Sequence, residues 1–266
     1  MRIEKIKAEN NSIVIAVEDE QNKIRFRISL DDFLRLGCKK GQELDQQKFE
    51  SLQKAHRYYF CYRKCCNKLQ LKDYSVKEIS DYLDKYVDLL ADEKEKIIND
   101  LISQNFLRDE LTAESQLYCD QVKLIGKKKS AYKMRKRGID KQIIDDTLSK
   151  IDNEEEMQRG IIKGKQLLKT IKNKSYKETI YYLRNKLSEE GFGNIDEIMS
   201  DLAVEYDQEK EVSALIYQMK KISRLYKKRY SKKALSSAYY KYLLSKGFES
   251  NLIAQELAKE NENEDM

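Results

Sequence analysis

One phrase occurs twice in this chain. Ser75-Val76-Lys77-Glu78-Ile79-Ser80-Asp81-Tyr82-Leu83 is echoed by Ser175-Tyr176-Lys177-Glu178-Thr179-Ile180-Tyr181-Tyr182-Leu183. In both copies a Ser is followed three residues later by Glu. In a capping box the Ser oxygen accepts from the backbone N–H of the Glu, and the Glu carboxylate reaches back to the Ser N–H. Each copy therefore predicts a helix start, with Tyr-Leu presented at the same depth. Weaker echoes are Ser130-Ala131-Tyr132-Lys133-Met134 leading to Gly138-Ile139, and Ser237-Ala238-Tyr239-Tyr240-Lys241-Tyr242-Leu243 leading to Gly247-Phe248. The second full copy runs on to Gly191-Phe192. A short apolar helix follows each glycine stop, carrying Ile144 with Leu148, Ile198 with Leu202, and Ile253 with Leu257. Helix, glycine turn, helix, recurring at roughly fifty residues, is the mark of a helical repeat.

Nothing in the composition opposes this. Of 266 residues none is proline and only 9 are glycine, so long helices are not interrupted from within. The length bounds one large domain or two small ones. Five cysteines at irregular spacing (Cys38, Cys61, Cys65, Cys66, Cys119) do not make a disulfide framework and suit a reducing cytoplasm. Cys61, Cys65 and Cys66 are expected to be small packing residues. The N-terminal residues lack the apolar core of a signal peptide, and no apolar run approaches the ~20 residues that span a bilayer.

Residues 2–30 read differently. Ile13, Ile15 and Val17, then Ile24, Phe26 and Ile28, recur with period two. This predicts a three-stranded antiparallel sheet with turns at Asn10-Asn11 and Asp19-Glu20-Gln21-Asn22, packed on a helix. Asp31-Asp32 is expected to cap a short helix ended by Gly37. From Asp45 the period is helical, with starts at Asp92, Asp109, Ser130, Asp140, Asp152 and Asp207. The expected organisation is a small β subdomain over 1–44, tandem three-helix repeats over 45–259 in an elongated curved array, and an acidic tail over 260–266.

Charge is segregated. The net charge is +6, yet three segments are purely basic. The first holds Lys127, Lys128, Lys129, Lys133, Arg135, Lys136 and Arg137. The second includes Lys165, Lys169 and Lys172. The third runs from Lys220 to Lys233 and includes Lys221, Arg224 and Lys228. Lys165, Lys169 and Lys172 fall at i, i+4 and i+7, and Lys221, Arg224 and Lys228 at i, i+3 and i+7, so each triplet is expected on one helix face. A concentrated basic surface attracts phosphate backbones and releases their counterions. Tyr226 and Tyr230 sit among the third group and are candidates to stack on bases. Tyr82, Tyr182 and Tyr242 are expected to pack. The alternative for any basic run is a solvated face balanced by acids on a neighbour.

Motifs for catalysis are missing. His56 is the sole histidine, and no Cys-His spacing suits zinc. No Walker A, dinucleotide-binding or Gly-x-Ser-x-Gly motif is present. No cofactor, metal or enzymatic activity is expected.

With its repeats laid out, the chain resembles the RecX family of recombination regulators, in its longer, Firmicute-type form. The resemblance rests on the phrase at 75–83, on Asn105-Phe106-Leu107-Arg108-Asp109-Glu110 followed by Tyr118, on Lys136-Arg137-Gly138-Ile139 with Ile143-Ile144, and on Lys246-Gly247-Phe248 with Ile253. It covers about residues 55–258. Asn105 stands where the family usually has Gly. The resemblance implies tandem three-helix repeats without a catalytic site. It also implies binding to the RecA–DNA filament that restrains strand exchange and ATP hydrolysis by RecA. The expected partners are the RecA filament, single-stranded DNA and double-stranded DNA, met by a cytoplasmic monomer. The competing classes are a helix-turn-helix DNA-binding protein and a protein-only helical scaffold.

Overall fold

The computed structural model describes residues 1–18, 23–230 and 232–264, with side chains at all of these except 232, 233 and 261–264. The turn expected at Asp19-Glu20-Gln21-Asn22 lies outside the described residues, as do the side chains of Lys232 and Lys233. Strands β1 (Arg2–Glu9), β2 (Ser12–Glu18) and β3 (Lys23–Ile28) form an antiparallel sheet in the order β1-β2-β3. Helix α1 (Leu30–Leu36) follows. Its cap is Ser29, not Asp31-Asp32: the Ser29 hydroxyl accepts from the Asp32 N–H at 3.0 Å, and both aspartates lie in the first turn. Gly37 ends the helix at a φ of 57°.

The remaining helices are α2 (Gln46–Leu69), α3 (Val76–Leu83), α4 (Ala91–Ser103), α5 (Asp109–Val122), α6 (Lys127–Lys136), α7 (Lys141–Ser149), α8 (Asn153–Thr170), α9 (Tyr176–Glu189), α10 (Ile195–Leu202), α11 (Gln208–Arg229), α12 (Lys232–Ser245) and α13 (Ser250–Glu264). Several starts differ from the sequence expectation. α4 begins after Leu90, whose N–H donates to Glu93. α6 begins at Lys127, so Ser130 lies inside it. Asp152 makes no side-chain cap bond. The Ser75 box is reciprocal, whereas Ser175 accepts from Glu178 N–H and Glu178 turns to Lys174 instead. α13 runs to Glu264, through most of the segment expected to be a tail.

The chain divides into two compact units, Met1–Gln116 with Lys133–Thr147, and Leu117–Tyr132 with Leu148 onward. In the first unit the inner face of the sheet packs on the first turns of α2. Ile3, Ile15, Phe26, Phe49 and Leu52 share one core, so the β segment is joined to the first helix beyond it. His56 serves that junction: its Nδ1 accepts from the Arg27 N–H at 3.0 Å. A second core joins α2, α3 and α4 through Cys65, Ile79, Leu83, Ile97 and Leu101. Burial pushes the Cys65 thiol up to about 12, the behaviour of a packing residue rather than a nucleophile.

The second unit repeats the three-helix plan twice. α8, α9 and α10 enclose Ile161, Leu183, Leu187, Phe192 and Ile198. Gly160 and Gly164 let α10 approach α8 closely, since a Cβ at either would meet Ile198 or Leu202. α11, α12 and α13 enclose Leu215, Met219, Tyr239, Leu243 and Ile253.

One joint recurs between successive modules. The N1 amide of the second helix of a module donates to a carboxylate in the first turn of the next module's first helix. Val76 N–H reaches Asp109 at 2.9 Å, Lys127 N–H reaches Glu156 at 2.8 Å, and Tyr176 N–H reaches Glu211 at 2.7 Å. An anion at a helix N-terminus satisfies an orphan donor and complements the helix dipole. The same helix start also seats on the glycine stop of the next module. Ser75 faces Arg137-Gly138, Ser175 faces Lys246-Gly247, and Gly126 faces Gly191. At the Gly126–Gly191 joint the backbones touch. Gly191 has a φ of 88°, and a Cβ there would collide with the backbone of Lys129.

Candidate nucleic-acid interface

α11 is amphipathic over its full length. Ala214, Leu215, Gln218, Met219 and Ile222 point into the core of its module. At ~100° per residue, Lys221, Arg224 and Lys228 fall on the opposite side. All three are exposed, and no ion pair to them occurs among the described residues. Tyr217, 47 % exposed, lies one turn before Lys221 on the same face. The sequence reading missed Tyr217, although its i−4 relation to Lys221 was there to be found. Leu225, 62 % exposed, adds apolar surface beside Arg224 and Lys228.

The tyrosines named from sequence sit elsewhere. Tyr226 faces inward and stacks on Tyr239 at 5.7 Å between ring centroids, with Tyr242 at 6.0 Å. Tyr230 ends α11 in extended backbone, its ring edge-on to Tyr226 at 5.2 Å and beside the Arg229 guanidinium. Tyr226 is therefore chiefly a packing residue.

α8 carries Lys165 and Lys169 on the side opposite its glycine face, both exposed, with Ile162 beside them. Lys172 does not continue this row. The helix ends at Thr170, and Ile171 turns extended at ψ 125°. Lys172 instead lines a 640 Å³ cleft together with Lys174, Lys210, Glu205, Asp207 and Glu209, where acids balance the cations.

The first basic segment divides by role. The Lys127 ammonium donates to the Ile151 carbonyl at 2.9 Å and to Asn153 at 3.0 Å, with Glu156 at 3.7 Å. Lys129 pairs with Glu190 at 2.8 Å. Both hold the joint at Gly191. Lys128 between them is exposed. Lys133 is half-buried and Arg135 exposed. Arg137 is structural: its guanidinium donates to Glu78 at 2.9 Å and to the Asp73 carbonyl at 2.8 Å. The exposed candidates are thus Lys128, Arg135, Lys165, Lys169, Lys221, Arg224 and Lys228. Those on α8 and α11 form ordered rows.

Among the described residues no group of three or more His, Cys, Asp and Glu side chains could hold a metal ion. No described helix is long and apolar enough to cross a membrane.

No family model matches the chain. Curated proteins do. "Regulatory protein RecX" of Enterococcus faecalis is 28% identical over 235 residues, covering 87% of this chain and 87% of that protein. The protein of the same name from Bacillus pumilus is 27% identical over 263 residues, covering 97% and 98%. Among solved structures, a regulatory protein RecX superposes with a TM-score of 0.63 at 20% identity, covering 75% of this chain and 98% of its own, a likeness of fold. RecX from Lactobacillus salivarius gives a TM-score of 0.50 at 26% identity, covering 55% and 96%.

Proposed function

Because the chain belongs to the RecX family of regulatory proteins, we propose that it acts without catalysis, by binding the RecA–DNA filament and restraining RecA. The observation that carries this reading is the outer face of α11. Tyr217, Lys221, Arg224 and Lys228 share one side of a helix whose other side is core. No acid among the described residues pairs with the three cations. Cations spaced along a helix suit the phosphates of a nucleoprotein fibre or the acidic patches of its protein. Lys165 and Lys169 on α8, with Lys128, extend the set within the same unit, and Arg135 is a separate candidate in the other. Binding through phosphates restrains a recombinase without any group that makes or breaks bonds.

The test is binding to single-stranded DNA and to RecA-coated DNA over a range of salt. Each phosphate contact on a single strand contributes ~0.7 to the slope of log affinity on log salt. Replacing Lys221, Arg224 and Lys228 together by Ala should flatten the slope and weaken binding. A slope unchanged by the triple substitution would remove α11 from the interface.

A further inference from the structure

A fourth basic stretch lies outside the surface just described. Between Glu50 and Asp73 there is no acidic residue, and the interval holds Lys54, Arg57, Arg63, Lys64, Lys68 and Lys72. Two of these are committed to α4: Lys54 pairs with Asp92 at 2.6 Å, and Arg57 with the buried Glu93 at 2.7 Å. The other four make no ion pair among the described residues, nor does Lys85 just after α3. Acids are at hand in Asp73, Asp81, Asp84 and Asp88, of which Asp84 takes Lys94. The lysines lie on aromatic rings instead.

These contacts form one unbroken belt. Lys64 sits 5.4 Å from the Phe60 ring, and Phe60 lies edge-on to Tyr86 at 6.0 Å. Tyr86 meets Tyr82 at 5.7 Å, their hydroxyls 3.0 Å apart. Lys68 is shared between Tyr82 at 4.8 Å and Tyr74 at 4.4 Å. Lys72 also covers Tyr74 at 4.4 Å, and Lys85 reaches Tyr82 at 5.9 Å. Phe60, at the head of the belt, is 44 % exposed.

We propose that the C-terminal half of α2, the connection over 70–75 and α3 form a second binding surface, which takes a single nucleic-acid strand by lysine–phosphate contact and ring–base stacking. An exposed ammonium over a ring is a weak tether. A phosphate offers a charge-assisted hydrogen bond that competes with it. As each lysine swings outward to a phosphate it uncovers a ring face, and every base has a face to stack on it. The surface therefore binds without sequence preference and favours unpaired bases over duplex. An acidic protein patch would engage the lysines alone and leave Phe60 without a role. The inference rests on the reading above only in taking nucleic acid as the ligand. Its residues lie in the other compact unit from α11.

The chain has no tryptophan, so Phe60→Trp gives a single site-specific reporter in the full protein. Titration with oligothymidine at low salt should quench its emission to saturation. In that background, K64A/K68A/K72A/K85A should abolish the quench and reduce the salt slope by ~0.7 for each phosphate no longer held. K221A/R224A/K228A should leave the quench in place, whatever it does to overall affinity. Should the fourfold variant lose helix content by circular dichroism, Lys85→Glu alone, outside any helix, should weaken the quench. Oligothymidine binding that leaves the reporter's emission unchanged would overturn the proposal. So would a quench that survives both the fourfold variant and Lys85→Glu. A response to RecA without DNA, or to polyglutamate, with none to oligothymidine would overturn it in favour of an acidic protein partner.

Discussion

The Ser75 hydroxyl donates a 2.6 Å hydrogen bond to the Arg137 carbonyl, 62 residues away, while accepting from the N–H of Glu78. Ser175 repeats the arrangement with Lys246 at 2.6 Å. The residue that starts a helix in one module thus closes the end of a helix in the next. Ser75→Ala removes the cap and orphans a carbonyl, and should cost about 2–3 kcal/mol in urea unfolding of the unit that contains it. A cost below about 0.5 kcal/mol would show that the joint carries no stability.

Gly191 is the tightest point of the second joint. An alanine there must hold a left-handed backbone and displace the backbone of Lys129, so Gly191→Ala should cost about 2–4 kcal/mol. Gly193, two residues on, has open space where a Cβ would stand. Gly193→Ala should leave stability unchanged or raise it by up to about 1 kcal/mol. Thermal melts of the two variants side by side make the comparison.

Two carboxylates, the half-buried Glu78 and the buried Glu211, should respond to pH in opposite directions. Burial pushes the Glu78 carboxyl up, but the Arg137 guanidinium and the Ser75 N–H outweigh it, and the net shift is downward from the ordinary 4.5. Its contribution is complete above that ordinary value and is lost as pH falls through the lowered one. Burial pushes Glu211 up, with the Glu249 charge adding to it and the Tyr176 N–H and Lys177 opposing. Its ionisation therefore costs stability as pH rises from 4.5 through the raised value. Glu78→Gln should be more harmful at pH 7 than at pH 3, and Glu211→Gln less harmful at pH 7 than at pH 4. Denaturant midpoints of each variant against the parent, at each pH, give the sign.

Lys127 and Lys128 are neighbours with different work. Lys127→Ala breaks the bonds to Ile151 and Asn153 and should cost about 1–2 kcal/mol of stability with little change in the salt dependence of DNA binding. Lys128→Ala should do the reverse, with stability within about 0.5 kcal/mol of the parent. Melting temperature and salt slope, measured on the same two proteins, separate the roles.

The repeat was legible because a capping box is local chemistry: Ser75 and Ser175 announce their helices within four residues. The α6 copy was read out of register at Ser130. The helix begins at Lys127, and Gly126 just before it meets Gly191, a partner 65 positions further along that no local pattern reveals. Asn105 is the opposite case. It holds a φ of 58°, a left-handed conformation that asparagine tolerates, so it does the work of the usual glycine. Charge was harder still. Lys127 and Lys129 look free in sequence because Glu156 and Glu190 are remote, and Tyr226 looks exposed because its cover comes from α12. The acid-free stretch before Asp73 was hidden because Cys61, Cys65 and Cys66 within it read as packing residues.

The central claim is that the outer face of α11 engages a RecA filament. It is tested most directly by RecA-dependent ATP hydrolysis on single-stranded DNA, titrated with the parent protein and with K221A/R224A/K228A. The parent should slow hydrolysis at amounts well below RecA, and the variant should need about tenfold more protein for the same effect. Hydrolysis unaffected by the parent, or slowed equally by both, would contradict the account.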